Sequence, residues 1–229
     1  MPLSGVFLPV ITPFRDGKID FESYRRLLEH YIPSGIAGII PNGTTGECPA
    51  ISEKEFELLL DETVKIVQGR LPVYFGVGGN YTKKVIEQLA IVNKYEIDGV
   101  LSVTPYYNRP DQRGIYEHFK ALSGATDKQI ILYNVPYRTG RNMENETIRK
   151  LSQIENIIGI KDACGDIKQS MDLLLNRPDN FSILTGEDIL YYCTMSLGGD
   201  GGILASAHIA TEKFVEIYRF FRQNDYQSA

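Results

Sequence analysis

The sequence predicts a closed (β/α)8 barrel, an α/β fold in which eight parallel strands are each followed by a helix. Along its 229 residues, short apolar runs alternate with amphipathic segments eight times. Several runs lack the polar alternation of a half-exposed strand, which is typical of strands that helices cover. No Pro-rich or Ser-rich linker interrupts the series. Because an open doubly wound sheet usually has about five to seven strands, we expect a single barrel domain over residues 1–229.

The eight predicted strands are apolar runs bounded by turn-forming residues. In a barrel, the loops that follow the carboxyl ends of these strands carry the active site, so unusual residues are expected there. The predicted strands cover residues 6–11, 36–40, 73–77, 99–103, 130–134, 157–161, 181–185 and 201–204.

The segments between the strands have apolar residues at helical spacing. Asp20 is a plausible cap before the first helix, and Pro33 ends that helix. Ser52 and Glu55 form a capping box before the second helix. We predict helices over residues 21–32, 53–67, 85–95, 114–122, 146–151, 167–175, 188–197 and 211–222.

Composition and charge exclude several classes of protein. With 43% hydrophobic and 23% charged residues, the chain is typical of globular proteins. It has 24 basic and 29 acidic residues, and a net charge of -5 predicts no nucleic-acid partner. No apolar segment reaches the roughly 18 residues that span a bilayer, so we expect no membrane contact and a cytoplasmic protein.

The cysteines and histidines predict neither disulfides nor a metal site. Cys48, Cys164 and Cys193 are odd in number and far apart, without a C-x-x-C spacing. The three histidines form no pair at i,i+4, and no H-E-x-x-H run occurs. We therefore expect no metal ion and a reducing compartment.

Lys161 is the most unusual residue of the predicted strands, because it interrupts the apolar run over residues 157–161. Burial disfavours the charged ammonium, and the neutral amine that results is a nucleophile. A single lysine more often leaves the strand and pairs with a neighbour such as Asp162 in water. The surrounding motifs decide between these two interpretations.

Polar residues follow three of the predicted strands. Residues 43–47 place two glycines around two threonines, a pattern that can offer backbone N–H groups and hydroxyls to a carboxylate. Tyr133 lies in the strand before that of Lys161, so we expect its hydroxyl to approach the amine. Arg138 follows the same strand and has a planar guanidinium that matches a substrate carboxylate.

Three motifs resemble the dihydrodipicolinate synthase family, which belongs to the pyruvate-dependent class I aldolases and lyases. They are GTTGE at residues 43–47, YNVPYRTG at 133–140 and GIKDACGD at 159–166. The resemblance extends over essentially the whole chain, with the motifs in the family's order and each at a predicted strand end.

The resemblance implies a reaction and a set of residues for it. Lys161 would form a Schiff base with pyruvate, whose enamine attacks L-aspartate 4-semialdehyde and yields 4-hydroxy-tetrahydrodipicolinate. No cofactor is required besides this covalent imine with the substrate. Tyr133, Thr44 and Tyr107 would form a proton relay.

The resemblance also assigns residues that bind the substrates. Thr45 and its loop would hold the pyruvate carboxylate, and Gly186 and Ile203 would border pyruvate. Arg138 would bind the carboxylate of the semialdehyde. Tyr107 would be supplied across a subunit interface, so the resemblance implies a homo-oligomer, either a dimer or a tetramer.

Two alternatives remain open from the sequence. N-acetylneuraminate lyases and keto-deoxy sugar acid aldolases share the lysine and the tyrosine, although the second threonine of GTTG and the sequence around Arg138 favour the semialdehyde. Family members usually continue past the eighth helix with further helices, which this chain lacks. The second alternative is therefore a truncated, catalytically weakened relative with a binding role.

A departure from the family pattern concerns regulation. Feedback-inhibited members bind lysine in a cleft between subunits through a histidine pair and a carboxylate. The matching positions here are Glu53, Phe56 and Lys84, while Asn80 and Tyr106 agree with the family. Because Lys84 would repel a bound lysine, we expect weak or absent inhibition.

Overall fold

The computed structural model describes residues 3–229 and contains a closed ring of eight parallel strands. The strands pair in the order β2-β1-β8-β7-β6-β5-β4-β3, and a parallel bridge between Ile39 and Val73 joins β2 to β3. The predicted (β/α)8 barrel is thus confirmed. The strands are β1 (Gly5–Leu8), β2 (Gly38–Ile39), β3 (Tyr74–Gly76), β4 (Gly99–Val103), β5 (Gln129–Asn134), β6 (Ile157–Asp162), β7 (Ser182–Thr185) and β8 (Gly201–Ile203).

A helix follows each strand and packs outside the ring. Both predicted caps are confirmed, because Asp20 accepts a hydrogen bond from the backbone N–H of Ser23 and Ser52 forms a reciprocal capping box with Glu55. The helices are α1 (Phe21–Tyr31), α2 (Glu53–Val67), α3 (Thr82–Val92), α4 (Gln112–Ser123), α5 (Asn145–Leu151), α6 (Ile167–Leu175), α7 (Tyr191–Ser196) and α8 (Thr211–Arg222).

The first two strands are shorter than the sequence predicted. Residues 6–11 were expected to be extended, but β1 ends at Leu8, and β2 comprises only Gly38–Ile39. Pro9 and Pro41 follow these strands closely, and a proline has no N–H to donate to the ladder. The proline positions therefore mark the strand ends.

Four other local features differ from the prediction. A small hairpin pairs Phe14–Arg15 with Lys18–Ile19, and a single helical turn, Pro136–Thr139, follows β5. The helix expected over residues 188–197 is a 3-10 turn followed by α7. Asp188 accepts a hydrogen bond from the backbone N–H of Ser206 in another loop. Its carboxylate therefore does not cap a helix. α3 starts and ends about one turn earlier than predicted.

Two apolar layers hold the barrel together. The larger one lies between the strands and the helices, and it contains residues such as Leu8, Leu59 and Phe119. A smaller cluster fills the ring itself and includes Phe7, Leu101, Ile131, Tyr133, Leu184 and Ile203. The interior of the barrel is therefore a packed core, and any chemistry must take place at its mouth.

The helices of residues 3–229 include none that is long and apolar enough to cross a membrane. Within the same part of the chain, no three His, Cys, Asp or Glu side chains come together in an arrangement that could hold a metal ion.

Gly201 provides a test of the seam between β1 and β8. It has a φ of 152°, and a Cβ at this position would overlap the carbonyl oxygen of Gly5. Gly198 also has a positive φ, 83°, but nothing lies within 4 Å of its hypothetical Cβ. We expect Gly201→Ala to lower the free energy of unfolding by more than about 3 kcal/mol, against about 1 kcal/mol for Gly198→Ala. If urea unfolding showed that both variants lose the same free energy of unfolding, the close contact between β1 and β8 at Gly201 would be contradicted.

Candidate active site

Lys161 lies near the carboxyl end of β6, and its side chain is only 6% exposed. Its backbone is in register with Tyr133 on β5 and Leu184 on β7, and both of these side chains belong to the cluster inside the barrel. The lysine therefore stays in the strand. Asp162 is not its partner, because that carboxylate accepts hydrogen bonds from the Ser170 hydroxyl and the Cys164 backbone N–H.

Gly186, one residue past β7, gives the lysine its space. A Cβ at this position would lie 2.7 Å from Lys161 Cε and 3.1 Å from its Cγ. No real side chain tolerates a contact of 2.7 Å with a carbon atom whose own position is restricted by packing. Gly186, which the resemblance places beside pyruvate, thus lies against the Lys161 side chain.

Burial lowers the pKa of Lys161 to about 8. The carboxylates of Asp188 and Glu187 act in the opposite direction and raise the pKa, whereas the positive charge of Arg138 lowers it further. About a tenth of the lysine is then neutral at pH 7, compared with less than a thousandth of an ordinary lysine. Because no hydrogen bond or ion pair from Nζ to another described residue forms, the neutral amine has a free lone pair.

Tyr133 contacts the amine directly. Lys161 Nζ lies 4.5 Å from the centroid of the tyrosine ring. Burial raises the pKa of the Tyr133 phenol to about 12, and the nearby Thr44 hydroxyl opposes this rise. The phenol is therefore protonated near neutral pH and can donate a proton or pass one on.

The loop over residues 43–47 lies beside this pair. Gly43 is buried, Thr45 is half-buried and the Thr44 side chain is exposed. The backbone N–H of Glu47 donates to Thr44 O at 3.0 Å, and that of Cys48 donates to Gly43 O at 3.3 Å. These bonds fold the loop into a compact turn at the mouth of the barrel.

A cavity of about 510 Å³ opens at this mouth. Thr44, Tyr133 and Arg138 line one part of it, together with the apolar side chains of Leu101 and Val135. The other part extends towards the positions that were expected to form a separate regulatory cleft, namely Glu53, Phe56, Asn80, Lys84 and Tyr106. Within the single chain, the two sets of residues share one continuous space.

Five of the expected site residues do not line this cavity: Lys161, Gly186, Thr45, Ile203 and Tyr107. Lys161 lies behind the cavity wall, in contact with the Tyr133 ring. Thr45 is also outside the wall, and Ile203 is fully buried in the barrel interior. Tyr107 has a φ of 70° and is 88% exposed, so its side chain lies largely in solvent within the single chain.

Arg138 and two acidic residues complete the electrostatics of the mouth. Arg138 is exposed, and its guanidinium carbon lies 5.1 Å from the ring centroid of Tyr137. Glu187 and Asp188 follow Gly186, and their charges act on Lys161. These two carboxylates belong to none of the three sequence motifs, although their position immediately after a barrel strand was a usable signal.

The comparisons with known proteins agree with this geometry. A family model described as the Dihydrodipicolinate synthetase family matches residues 2–229. The chain belongs to this family. The resemblance that the three sequence motifs indicated is therefore confirmed.

Individual members of the family are similar over nearly the whole chain. A 4-hydroxy-tetrahydrodipicolinate synthase 2 of Clostridium acetobutylicum is 58% identical over 229 residues, which are 100% of this chain and 80% of the relative. The crystal structure of the dihydrodipicolinate synthase from Aquifex aeolicus superposes with a TM-score of 0.95 at 35% identity, covering 99% of this chain and 78% of that one. A chloride-inhibited synthase from Acinetobacter baumannii in complex with pyruvate also gives 0.95, at 36% identity and with 99% and 78% coverage.

The burial of Lys161 predicts a pH-dependent stability. Below about pH 8, the folded and unfolded chains both hold the lysine proton, so the folded state carries the whole cost of the buried charge. Between pH 8 and 10.5 the folded chain releases the proton while the unfolded chain keeps it, so the wild type gains stability as the pH rises. We expect Lys161→Met to raise the free energy of unfolding at pH 7 by up to about 3 kcal/mol, with a difference that shrinks above pH 8.

Lys150→Met is the matched control for this measurement. Lys150 is exposed and pairs with Glu146 on the same helix at 2.7 Å. Its replacement should change the free energy of unfolding by less than about 0.5 kcal/mol at either pH. Equal stability of Lys161→Met and wild type at pH 7, measured by urea unfolding, would mean that the amine is hydrated.

Proposed function

We propose that this chain catalyses the condensation of pyruvate with L-aspartate 4-semialdehyde to give 4-hydroxy-tetrahydrodipicolinate, with Lys161 as the Schiff-base residue. The observation that carries the proposal is the buried Lys161 amine, with a pKa of about 8, 4.5 Å from the Tyr133 ring. Membership of the family and the 58% identity to a synthase of this reaction support it. An unprotonated amine at the mouth of a barrel is the group that a keto acid requires.

The first steps form and activate the imine. Nζ of Lys161 attacks the keto carbon of pyruvate, and loss of water leaves a protonated imine. The positive nitrogen withdraws electrons from the neighbouring methyl group, which loses a proton to give an enamine. Glu187 and Asp188 stabilise the cationic imine by the same negative charge that raises the pKa of the free lysine.

The later steps join the two substrates. The enamine carbon attacks the aldehyde carbon of the semialdehyde, and the aldehyde oxygen takes up a proton to become a hydroxyl group. The amino group of the semialdehyde then attacks the imine carbon, closes a six-membered ring and displaces Lys161. The lysine thus returns to its starting state, and no cofactor beyond the covalent imine takes part.

The loop over residues 43–47 holds pyruvate in this proposal. Thr45 and the backbone N–H groups beside it bind the carboxylate, which points the keto carbon at Lys161. Gly186 and Ile203 border the bound pyruvate, and the absence of a side chain at Gly186 leaves room for the imine as well as for the lysine.

Proton transfer and the second substrate involve the remaining residues. Tyr133 and Thr44 pass protons between the reacting atoms and solvent, and Tyr107 extends this relay from a second copy of the chain. The exposed Tyr107 side chain supports such a homo-oligomer. Arg138, which has no ion-pair partner among residues 3–229, binds the carboxylate of the semialdehyde.

Covalent trapping tests the proposal. Borohydride reduces an imine to a stable amine, so incubation with pyruvate and borohydride should add the mass of a carboxyethyl group to a single peptide, the one that contains Lys161. The trapping rate should rise with pH around a midpoint near 8, because the neutral amine is the nucleophile. Mass spectrometry of a digest measures both the site and the rate.

The control for trapping is Lys161→Met, which should gain no pyruvate mass under the same conditions. Turnover of the semialdehyde by wild type, with none by this variant, completes the test. A wild-type chain that turns over the substrates without any adduct at Lys161 would refute the proposed mechanism.

We also propose that lysine binds this chain weakly. Lys84 Nζ pairs with Glu53 Oε1 at 2.9 Å, and this interaction raises the pKa of Lys84 so that it stays charged. The cleft therefore offers a cation where a lysine ligand needs an anion. Phe56 adds an apolar surface on the same wall.

Calorimetry should give a dissociation constant for lysine in the millimolar range or weaker. Lys84→Glu replaces the repelling cation by a carboxylate and should tighten binding by about tenfold or more. Micromolar binding to the wild-type chain would show that the Glu53–Lys84 pair opens to accept the ligand.

A further inference from the structure

A hydrogen bond from a residue outside the loop holds the C-terminal end of residues 43–46 in place. Thr12 lies in the connection after β1, is 4% exposed, and donates a hydrogen bond from Oγ1 to Gly46 O at 2.7 Å. The backbones approach closely here, because a Cβ at Gly46 would lie 2.8 Å from Val10 O and 3.2 Å from Thr12 Oγ1. Gly46 is therefore held against the β1 connection with no space to shift towards it.

Hydrogen bonds also hold the N-terminal end of the loop. Asn42, which is 6% exposed, donates from Nδ2 to Gly76 O at 2.7 Å, and the backbone N–H of Gly76 donates to Pro41 O at 2.8 Å. A Cβ at Gly76 would overlap the carbonyl oxygen of Asn42. This bond lies at the seam between β2 and β3, where the only strand pairing in the described chain is the Ile39–Val73 bridge.

The backbone conformation shows why such hydrogen bonds are needed. Asn42 has a φ of 56° and Glu47 a φ of 55°, so two non-glycine residues in the left-handed region bracket the loop. Residues adopt this region against their intrinsic preference, and they remain there only when surrounding contacts hold them. The side chains of Thr12 and Asn42 provide those contacts, and each is buried away from competing water.

We propose that Thr12 and Asn42 are positioning residues that fix the carboxylate-binding loop for pyruvate. Neither side chain is assigned a contact with a reacting atom. Each holds a peptide group at one end of residues 43–46, so that Thr44 and Thr45 present their donors in one arrangement. This inference rests on the proposed function, in which the loop binds the pyruvate carboxylate. A preformed loop binds its anion without first losing conformational freedom.

Thr12→Val is the decisive variant, because valine keeps the shape of threonine and removes only the hydroxyl donor. We expect the KM for pyruvate to rise about tenfold, since the loop loses its fixed arrangement. The KM for the semialdehyde should change less than twofold, because that substrate binds at Arg138. Thr12→Ser restores the donor and should return the pyruvate KM to within about threefold of wild type.

Thr63→Val is the control for a purely structural effect. Thr63 on α2 is fully buried, donates to Leu59 O at 2.6 Å and shares a 2.8 Å hydrogen bond with the Tyr24 hydroxyl. The same chemical change at this position should lower the melting temperature and leave the pyruvate KM unchanged. If Thr63→Val raised the pyruvate KM as much as Thr12→Val does, the inference would be overturned. A folded Thr12→Val protein with the wild-type pyruvate KM would overturn it as well.

Asn42→Gly covers the case in which Thr12→Val does not fold. Glycine adopts a φ of 56° without strain, so this variant keeps the backbone conformation while removing the Asn42 side chain and its hydrogen bond to Gly76. It should raise the pyruvate KM in the same way, and an unchanged KM overturns the inference. A wild-type chain that gains no pyruvate mass with borohydride refutes the proposed function and this inference together, whereas normal trapping with an unchanged KM in the variants refutes the inference alone.

Discussion

The burial of one amine is the constraint on which the site depends. A closed ring of strands places Lys161 where water has little access, and its pKa falls to about 8 for that reason. The neighbouring residues leave room for it and do not pair with it: Gly186 has no side chain beside the lysine, and Asp162 accepts hydrogen bonds from Ser170 and the Cys164 amide. Glu187 and Asp188 limit the fall in the pKa, and the same negative charges would favour the cationic imine of the proposed mechanism.

The closed barrel also brings the other components of the site to the same place. Because all eight strands are parallel, their carboxyl ends meet at one mouth, where the 43–47 loop, Tyr133 and Arg138 share a cavity. The seam between β2 and β3 is the least paired part of the ring, and the loop over residues 43–47 begins there. Side-chain hydrogen bonds from Thr12 and Asn42 hold the loop where the strand ladder is too short to do so.

Sequence patterns predicted the fold well where they reflect burial and capping. Eight apolar runs correspond to eight strands, and the caps at Asp20 and Ser52 start α1 and α2. Element ends were less accurate, because they depend on contacts with distant parts of the chain. Asp188 bonds to the Ser206 amide and divides the expected seventh helix, and no local pattern reveals that bond. The cavity at the barrel mouth also extends to Glu53 and Lys84, and this depends on how the loops pack against one another.

The sequence by itself determined the (β/α)8 class and the family, and it indicated the candidate reactive residues, because hydrophobic periodicity and short motifs are local properties of the chain. Tertiary structure alone decided the state of Lys161, since its pKa depends on what surrounds the amine in space. It also decided that Thr12, 34 positions away from Gly46 in the chain, lies within hydrogen-bonding distance of it. Tyr107 marks the limit of a single chain: its side chain is exposed, so the contact proposed for it requires a second subunit.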